Sequence, residues 1–166
     1  MPGLRFIKEE TGKQIMRGTM IIAVVFELLC SMTDCVRLKI DRRVLAAGYC
    51  LGTAAGLQRI WTEQDRWYNI VAAVLPGLML LLLSGLTEEK IGRGDGDMVL
   101  VLGLLLGVGK CTAALCAASF FSAIYAGVGL VAGKLGKASR LAFAPFLMAG
   151  VVVVWMICET GFFVVS

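Results

Sequence analysis

Aspartates at the edges of apolar segments are the residues of this chain whose type and spacing suggest chemistry. Asp34 ends the first long apolar segment, and Asp95 and Asp97 open the fourth. An ionisable group at membrane depth costs about 2.5–3.5 kcal/mol on insertion scales, so an acid there is a candidate functional residue. Two carboxyls held together can share a proton, so that one activates water while the other protonates or polarises a carbonyl group.

Three glycines lie around Asp95 and Asp97, in the stretch Gly92–Asp97. Glycine adopts positive φ without strain and lets another backbone approach closely. The stretch also joins a polar connection to an almost uncharged apolar segment. We therefore predict a loop that holds carboxylates at a membrane boundary and receives another chain.

Composition places the chain among polytopic membrane proteins. It has 166 residues, of which 58% are hydrophobic, and a mean hydropathy of +0.84. The sequence predicts one membrane domain over residues 1–166, with residues 1–17 as a polar, interfacial N-terminal segment and not a cleavable signal peptide. The net charge of +4 comes from short basic clusters between apolar segments, and nucleic acid is not a predicted partner.

Residue usage excludes several kinds of site. The chain has no histidine, which excludes histidine-based catalysis and the commonest metal ligand. Its six cysteines include no Cys-x-x-Cys pair, so neither a zinc site nor a disulfide framework is predicted.

Apolar segments recur along the chain and define its fold class. They cover about 18–34, 44–60, 70–86, 98–109, 112–133 and 141–165. Most approach the roughly 20 residues that a bilayer requires, so we predict an all-α integral membrane protein with about six transmembrane helices. The fourth segment is short, and a start recessed into the protein would place Asp95 and Asp97 below the lipid headgroups.

Charges between the segments predict the orientation. Nine basic residues lie in the connections on one side of the predicted membrane and three on the other, with four more in the N-terminal segment. The positive-inside rule places the richer side in the cytoplasm of a multi-pass protein of the cell membrane. Two spans separate Asp34 from Asp95, so both acids are expected at the cytoplasmic boundary.

The residues alone leave other interpretations open. Acids at the ends of spans are often simply solvated, and Asp95 and Asp97 could belong to a plain turn. Asp34, Asp95 and Asp97 could instead be oxygen ligands for a hard divalent cation in a small membrane protein or transporter, although no internal repeat with broken helices is evident. A purely structural membrane subunit is a third interpretation.

Three motifs carry a family resemblance over nearly the whole chain. Gly92–Asp95 resembles the Gly-x-Gly-Asp signature of the type IV prepilin peptidases, a family of membrane aspartic proteases, and Gly103 matches a family glycine eight residues after the aspartate. The basic stretch in Asp34–Arg42 is similar to the one that follows the first family aspartate. Ala142–Leu147 resembles the Pro-Phe-x-Pro-Phe-Leu motif that opens the last helix.

The chain departs from the family pattern at three points. Asp41-Arg42 replaces Pro-Asn, Asp97 stands where a lysine is usual, and Ala142 replaces a proline. A carboxylate at position 97 would disfavour ionisation of a neighbouring acid.

Two registers satisfy the aspartate signature. Gly94–Asp97 also matches Gly-x-Gly-Asp, which makes Asp97 an alternative catalytic acid. Asp95 is preferred because Gly103 and the length of the following helix agree with it, and Asp97 is then a supporting acid beside it.

The resemblance implies an aspartic endopeptidase that removes basic leaders, after a glycine, from prepilin-like substrates whose apolar helix lies in the membrane lipid. Asp34 and Asp95 would be catalytic, with Gly92 and Gly94 as motif glycines, and neither a metal nor a cofactor is expected. A cytosolic insertion with paired Cys-x-x-Cys motifs does not occur in this sequence, which suggests the short, peptidase-only form. The sequence does not indicate the oligomeric state.

Three further residues are candidates for the substrate groove. Pro145 and Phe146 belong to the motif that opens the last helix. Glu27 lies seven residues before Asp34, about two helical turns, and so on nearly the same helical face.

Overall fold

The computed structural model describes residues 2–37, 42–61, 67–86, 93–133 and 142–160, and this part of the chain forms helices without strands. The helices are α1 (Pro2–Arg37), α2 (Arg42–Trp61), α3 (Trp67–Leu86), α4 (Arg93–Leu106), α5 (Val108–Val131) and α6 (Ala144–Glu159). Each predicted apolar segment corresponds to one helix. The predicted all-α fold class is confirmed.

Three helices are long and apolar enough to cross a membrane, over Gln14–Asp34, Tyr68–Leu86 and Val108–Val131. Large apolar side chains on these helices face outward, among them Leu28 of α1 and Leu82 of α3. An outward apolar surface of this extent is stable in lipid and unfavourable in water. The chain is therefore a membrane protein, and the crossing of the other three helices stays a prediction.

Helix α1 places Glu27 and Asp34 on one buried face. Met20, Ala23, Glu27, Cys30 and Asp34 are all buried, at the spacing of three or four residues that keeps side chains on one side of a helix. The helix is continuous from Pro2, so the polar N-terminal segment and the first apolar segment form one element. Asp34 lies near its C-terminal end.

Helix α4 lies at the centre of the bundle and packs against α1, α2, α3 and α5. Its apolar side chains are almost completely buried, as at Met98, Leu102 and Leu105. A helix of 14 residues is only about 21 Å long, shorter than the roughly 30 Å hydrocarbon core. Because neighbouring helices surround it, α4 does not need to match the bilayer thickness.

Glycines allow α3 and α4 to approach each other closely. A Cβ atom at Gly103 would clash with the carbonyl oxygen of Ala73, and one at Gly77 would lie 2.6 Å from the backbone nitrogen of Leu100. At the start of α4, a Cβ atom on Gly96 would lie 2.8 Å from the side chain of Leu81. Three positions along this pair of helices therefore accept only glycine without a local shift.

The prediction of a loop around Asp95 and Asp97 is wrong for residues 93–97, which form the first turns of α4. Their glycines act through close packing on α3 and not through positive φ, which the described glycines adopt at Gly107 and Gly133. Helical glycine costs about 1 kcal/mol relative to alanine, and the packing against Leu81 offsets this cost. Gly92 lies outside the described residues.

The junction between the fourth and fifth helices also differs from the prediction. It lies at Gly107, whose φ is 82°, and not at Lys110, which is in the first turn of α5. A positive φ ends α4 without a long loop, so the two helices are separated by one residue.

An ion pair joins α1 and α6 at the end of the bundle away from Asp34. The Arg17 guanidinium lies 3.2 and 3.3 Å from the two carboxylate oxygens of Glu159, and the Trp155 indole N–H donates to the same carboxylate at 3.4 Å. Both charged side chains are exposed, so the energy gained is small. The contact shows that α1 and α6 run antiparallel, with Arg17 about 25 Å along the helix from Asp34.

We predict that Gly103→Ala destabilises the protein by about 1–3 kcal/mol, because the added methyl group overpacks the contact with α3. Gly127→Ala is the matched control, since Gly127 is exposed in α5 and a Cβ atom there meets nothing within 4 Å. Thermal unfolding in detergent measures both variants. Equal melting temperatures for the two would contradict the close α3–α4 packing.

Candidate active site

Asp34 is held in a buried position between α1 and α6. Its side chain is 8% exposed, and its carboxylate accepts a hydrogen bond from the backbone N–H of Ala144. Ala144 is the first residue of α6, where backbone N–H groups have no partner within the helix. The second carboxylate oxygen, Oδ2, is also buried and has no hydrogen-bond partner among the described residues.

Asp95 lies in the first turn of α4, before the apolar part of that helix, and is half-buried. Burial and the nearby negative charge of Asp34 raise the pKa of Asp95 to about 6, from 3.8. The two acids are therefore electrostatic neighbours, Asp34 near the C-terminal end of α1 and Asp95 at the start of α4, in two helices that pack against each other. The pair titrates as a unit in which like charges oppose double ionisation.

The side chain of Asp97 points towards α2. Its carboxylate oxygen Oδ1 accepts a hydrogen bond from the Tyr49 hydroxyl of α2 at 2.8 Å. Residues two apart on a helix are separated by about 200° around its axis, so Asp95 and Asp97 cannot face the same neighbour. Asp95 faces Asp34, whereas Asp97 fastens α4 to α2.

Glu27 is a third acid on this side of α1. Its side chain is fully buried, and neither carboxylate oxygen has a hydrogen-bond partner among the described residues. It lies within electrostatic range of Asp95 and of the buried thiols Cys30 and Cys111. Glu27 therefore lies in the interior of the bundle, near the two aspartates but not exposed.

The start of α6 closes this end of the bundle. Pro145 occupies the second position of the helix, where its missing N–H costs no hydrogen bond. Phe146 is half-buried, and its ring lies 5.5 Å from that of Tyr125 in α5, centroid to centroid. These two groove candidates thus lie in the same helical turn as the residue that contacts Asp34.

Two contacts of the candidate site were not predicted from the sequence. The Tyr49 hydroxyl gives no signal in an apolar segment, because its partner is 48 residues away. The Ala144 donor was partly visible, since a proline in Ala142–Leu147 marks the start of a helix and hence free N–H groups. Of the departures from the family pattern, Arg42 is exposed and Ala142 is half-buried, while Asp41 lies outside the described residues.

A metal centre has no support in the described part of the chain. There, no group of three or more His, Cys, Asp or Glu residues could hold a metal ion. Asp34 and Asp95 face each other, but Asp97, the third ligand of the cation-binding alternative, is turned towards Tyr49.

The fold and the site define an α-helical membrane protein that holds two aspartates together at one end of its bundle. A model of the type IV leader peptidase family matches residues 21–127, which include both Asp34 and Asp95. The match covers more than half of the chain, so this protein belongs to the type IV leader peptidase family. The predicted family is confirmed, and the transporter alternative is not favoured.

A curated relative agrees with this assignment. The chain is 26% identical over 137 residues to the prepilin leader peptidase/N-methyltransferase of Bacillus subtilis (strain 168). The alignment covers 82% of this chain and 54% of that protein, so the chain spans about half the length of this relative. No solved structure matches the chain.

The raised pKa of Asp95 predicts how stability depends on pH. Its folded-state pKa of about 6 exceeds the ordinary value of 3.8, so the folded protein binds this proton more tightly than the unfolded chain. The contribution of Asp95 to the free energy of unfolding is fully present below pH 3.8 and is lost as the pH rises through about 6. The melting temperature of Asp95→Asn, measured relative to that of wild type at the same pH, should therefore increase between about pH 4 and about pH 7. Thermal unfolding in detergent tests this, and a difference that stays constant with pH would contradict it.

Proposed function

We propose that this protein is a membrane aspartic endopeptidase that removes the leader peptide of prepilin-like substrates, with Asp34 and Asp95 as its catalytic pair. The observation that carries the proposal is the electrostatic interaction between Asp34, which is buried, and Asp95, which is half-buried, two acids from distant parts of the chain. Membership of a leader peptidase family supports the substrate class, as does the name of the Bacillus relative, a prepilin leader peptidase/N-methyltransferase.

The proposed reaction is hydrolysis by water without a covalent intermediate. One carboxylate takes a proton from water as the water oxygen attacks the scissile carbonyl carbon, and the other carboxyl gives its proton to the carbonyl oxygen. The tetrahedral intermediate then collapses and the C–N bond breaks. The amine leaves with the proton taken from water, and the hydroxyl proton of the intermediate returns to the second carboxyl. One water is consumed, and both acids regain their starting states.

The proposed substrate joins a basic leader to an apolar helix. The apolar helix would lie in lipid beside the bundle, and the leader would reach the acidic end of α1 and α4. Pro145 and Phe146 would contact the segment that enters the site, since they share a helical turn with Ala144. Asp97 supports the site by holding α4 against Tyr49 of α2.

We further propose that the catalytic end of the bundle faces the cytoplasm of a multi-pass cell-membrane protein. The nine-to-three distribution of basic residues between the connections supports this orientation. Arg42, which is exposed at the start of α2, lies next to the C-terminal end of α1 along the chain.

Asp34→Asn and Asp95→Asn should each reduce leader cleavage by at least about a hundredfold, because acid–base work requires both carboxyls. The assay co-expresses each variant with a protein that carries a basic leader ending in glycine before an apolar segment, and follows the loss of the leader by mass. Glu159→Gln is the control, since it neutralises an exposed acid at the opposite end of the bundle. Normal cleavage by either aspartate variant would end the two-aspartate proposal.

The same assay separates the two registers of the motif. Asp97→Asn should keep cleavage within about tenfold of wild type, because the amide oxygen can still accept the hydrogen bond from Tyr49, which is only weakened by loss of the charge, and no proton-transfer group is removed. If Asp97→Asn is inactive and Asp95→Asn retains turnover, Asp97 is the catalytic acid.

Cysteine labelling tests the orientation. In a background without native cysteines, Arg42→Cys should be protected from a membrane-impermeant thiol reagent in intact cells, and Gln64→Cys should react. Both should react after the membrane is opened. The reverse pattern in intact cells would place the acids on the outer side.

A further inference from the structure

The two aspartates receive different support from the backbone. Asp34 accepts a hydrogen bond from the N–H of Ala144, which is at the start of α6 and therefore at the positive end of the helix dipole. Asp95 is half-buried and faces the negative charge of Asp34. Each acid meets the negative charge of the other, which opposes ionisation of both, but Asp34 also receives a backbone donor that favours its ionised form.

The first turn of α6 is built to keep this donor in place. The carbonyl oxygen of Phe143 accepts hydrogen bonds from the N–H groups of Phe146 and Leu147 at 3.0 and 3.1 Å. Ala144 and Leu147 are both buried. Further along α6, a Cβ atom on Gly150 would clash with a backbone carbonyl of α5, so the two helices are closely packed. The Ala144 N–H therefore has little freedom to leave Asp34.

Other titratable groups around Asp34 do not provide the same bias. Asp95 of α4 and Cys30 of α1 face it, and Glu27 lies deeper beside Asp95. Helix α6 has no acidic residue in its first turn. At the start of α2, Arg42 and Arg43 are exposed, where solvent screens their charges.

We propose that the backbone N–H of Ala144 is a positioning group that divides the catalytic roles, so that Asp34 is the ionised general base and Asp95 carries the proton and acts as general acid. This inference rests on the proposed two-aspartate function and assigns a separate role to each acid. The amide fixes the carboxylate of Asp34, and the buried Oδ2 has no hydrogen-bond partner among the described residues that would compete with this bond.

An amide-to-ester replacement tests the proposal with no change of side chain. Ala144→lactic acid, introduced by cell-free translation of the full chain into nanodiscs, replaces the N–H by an oxygen atom. Proline would also remove the N–H, but it would disturb the helical conformation of Phe143 (φ −84°, ψ −29°). Leu147→leucic acid is the matched control, because it removes an N–H of the same turn that bonds to Phe143 and not to Asp34.

The readout is the pH profile of leader cleavage. A hydrogen bond to a charged group contributes about 1.5–3 kcal/mol, so its loss should move the acid limb of the profile upward by about one to two pH units. The control ester should leave the acid limb where wild type has it. An unchanged limb in the Ala144 ester, or equal shifts in both esters, would overturn the proposal. If that occurs while both Asp→Asn variants are inactive, the two-aspartate function stands and only the division of roles fails.

A second measurement does not depend on the ester variants. Infrared spectroscopy, one pH unit below the pKa of Asp95, distinguishes protonated carboxyls from carboxylates by their stretching bands. Asp95→Asn should remove a protonated-carboxyl band, and Asp34→Asn should remove a carboxylate band. The opposite assignment would overturn the proposal.

Discussion

The like-charge interaction between Asp34 and Asp95 is the constraint on which the rest of this structure depends. Two acids that lie close together in a poorly solvated site cannot both ionise easily, and burial together with the negative charge of Asp34 raises the pKa of Asp95 to about 6. Such a pair is unfavourable for stability and suited to proton transfer. The surrounding helices must therefore hold it together against its own repulsion.

Packing of α4 provides most of that support. Its burial by four neighbours and its close contact with α3 at Gly103 and Gly96 fix the position of the first turn. The hydrogen bond from Tyr49 to Asp97 fastens the same turn to α2. On the other side, α6 supplies the amide that holds Asp34. The described residues of the proposed peptidase site thus come from the ends of three helices.

The sequence predicted the helices and their order well, because apolar segments and the charges between them reflect the bilayer directly. The parity of spans also predicted that Asp34 and Asp95 lie at one end. It could not predict that residues 93–97 are helical, since glycine-rich stretches favour loops unless a distant partner such as Leu81 packs on them. The partner of Asp97 was equally hidden, because the Tyr49 contact joins two separate apolar segments.

The most direct test of the central claim is the residual cleavage rate of the double variant Asp34→Asn/Asp95→Asn, compared with both single variants over long incubations. Groups that act as one unit show strongly non-additive losses. If the two aspartates form a single catalytic pair, the double variant should retain the same residual rate as either single variant. A rate that falls further, by the product of the two single losses, would show that the acids act independently and would contradict this account.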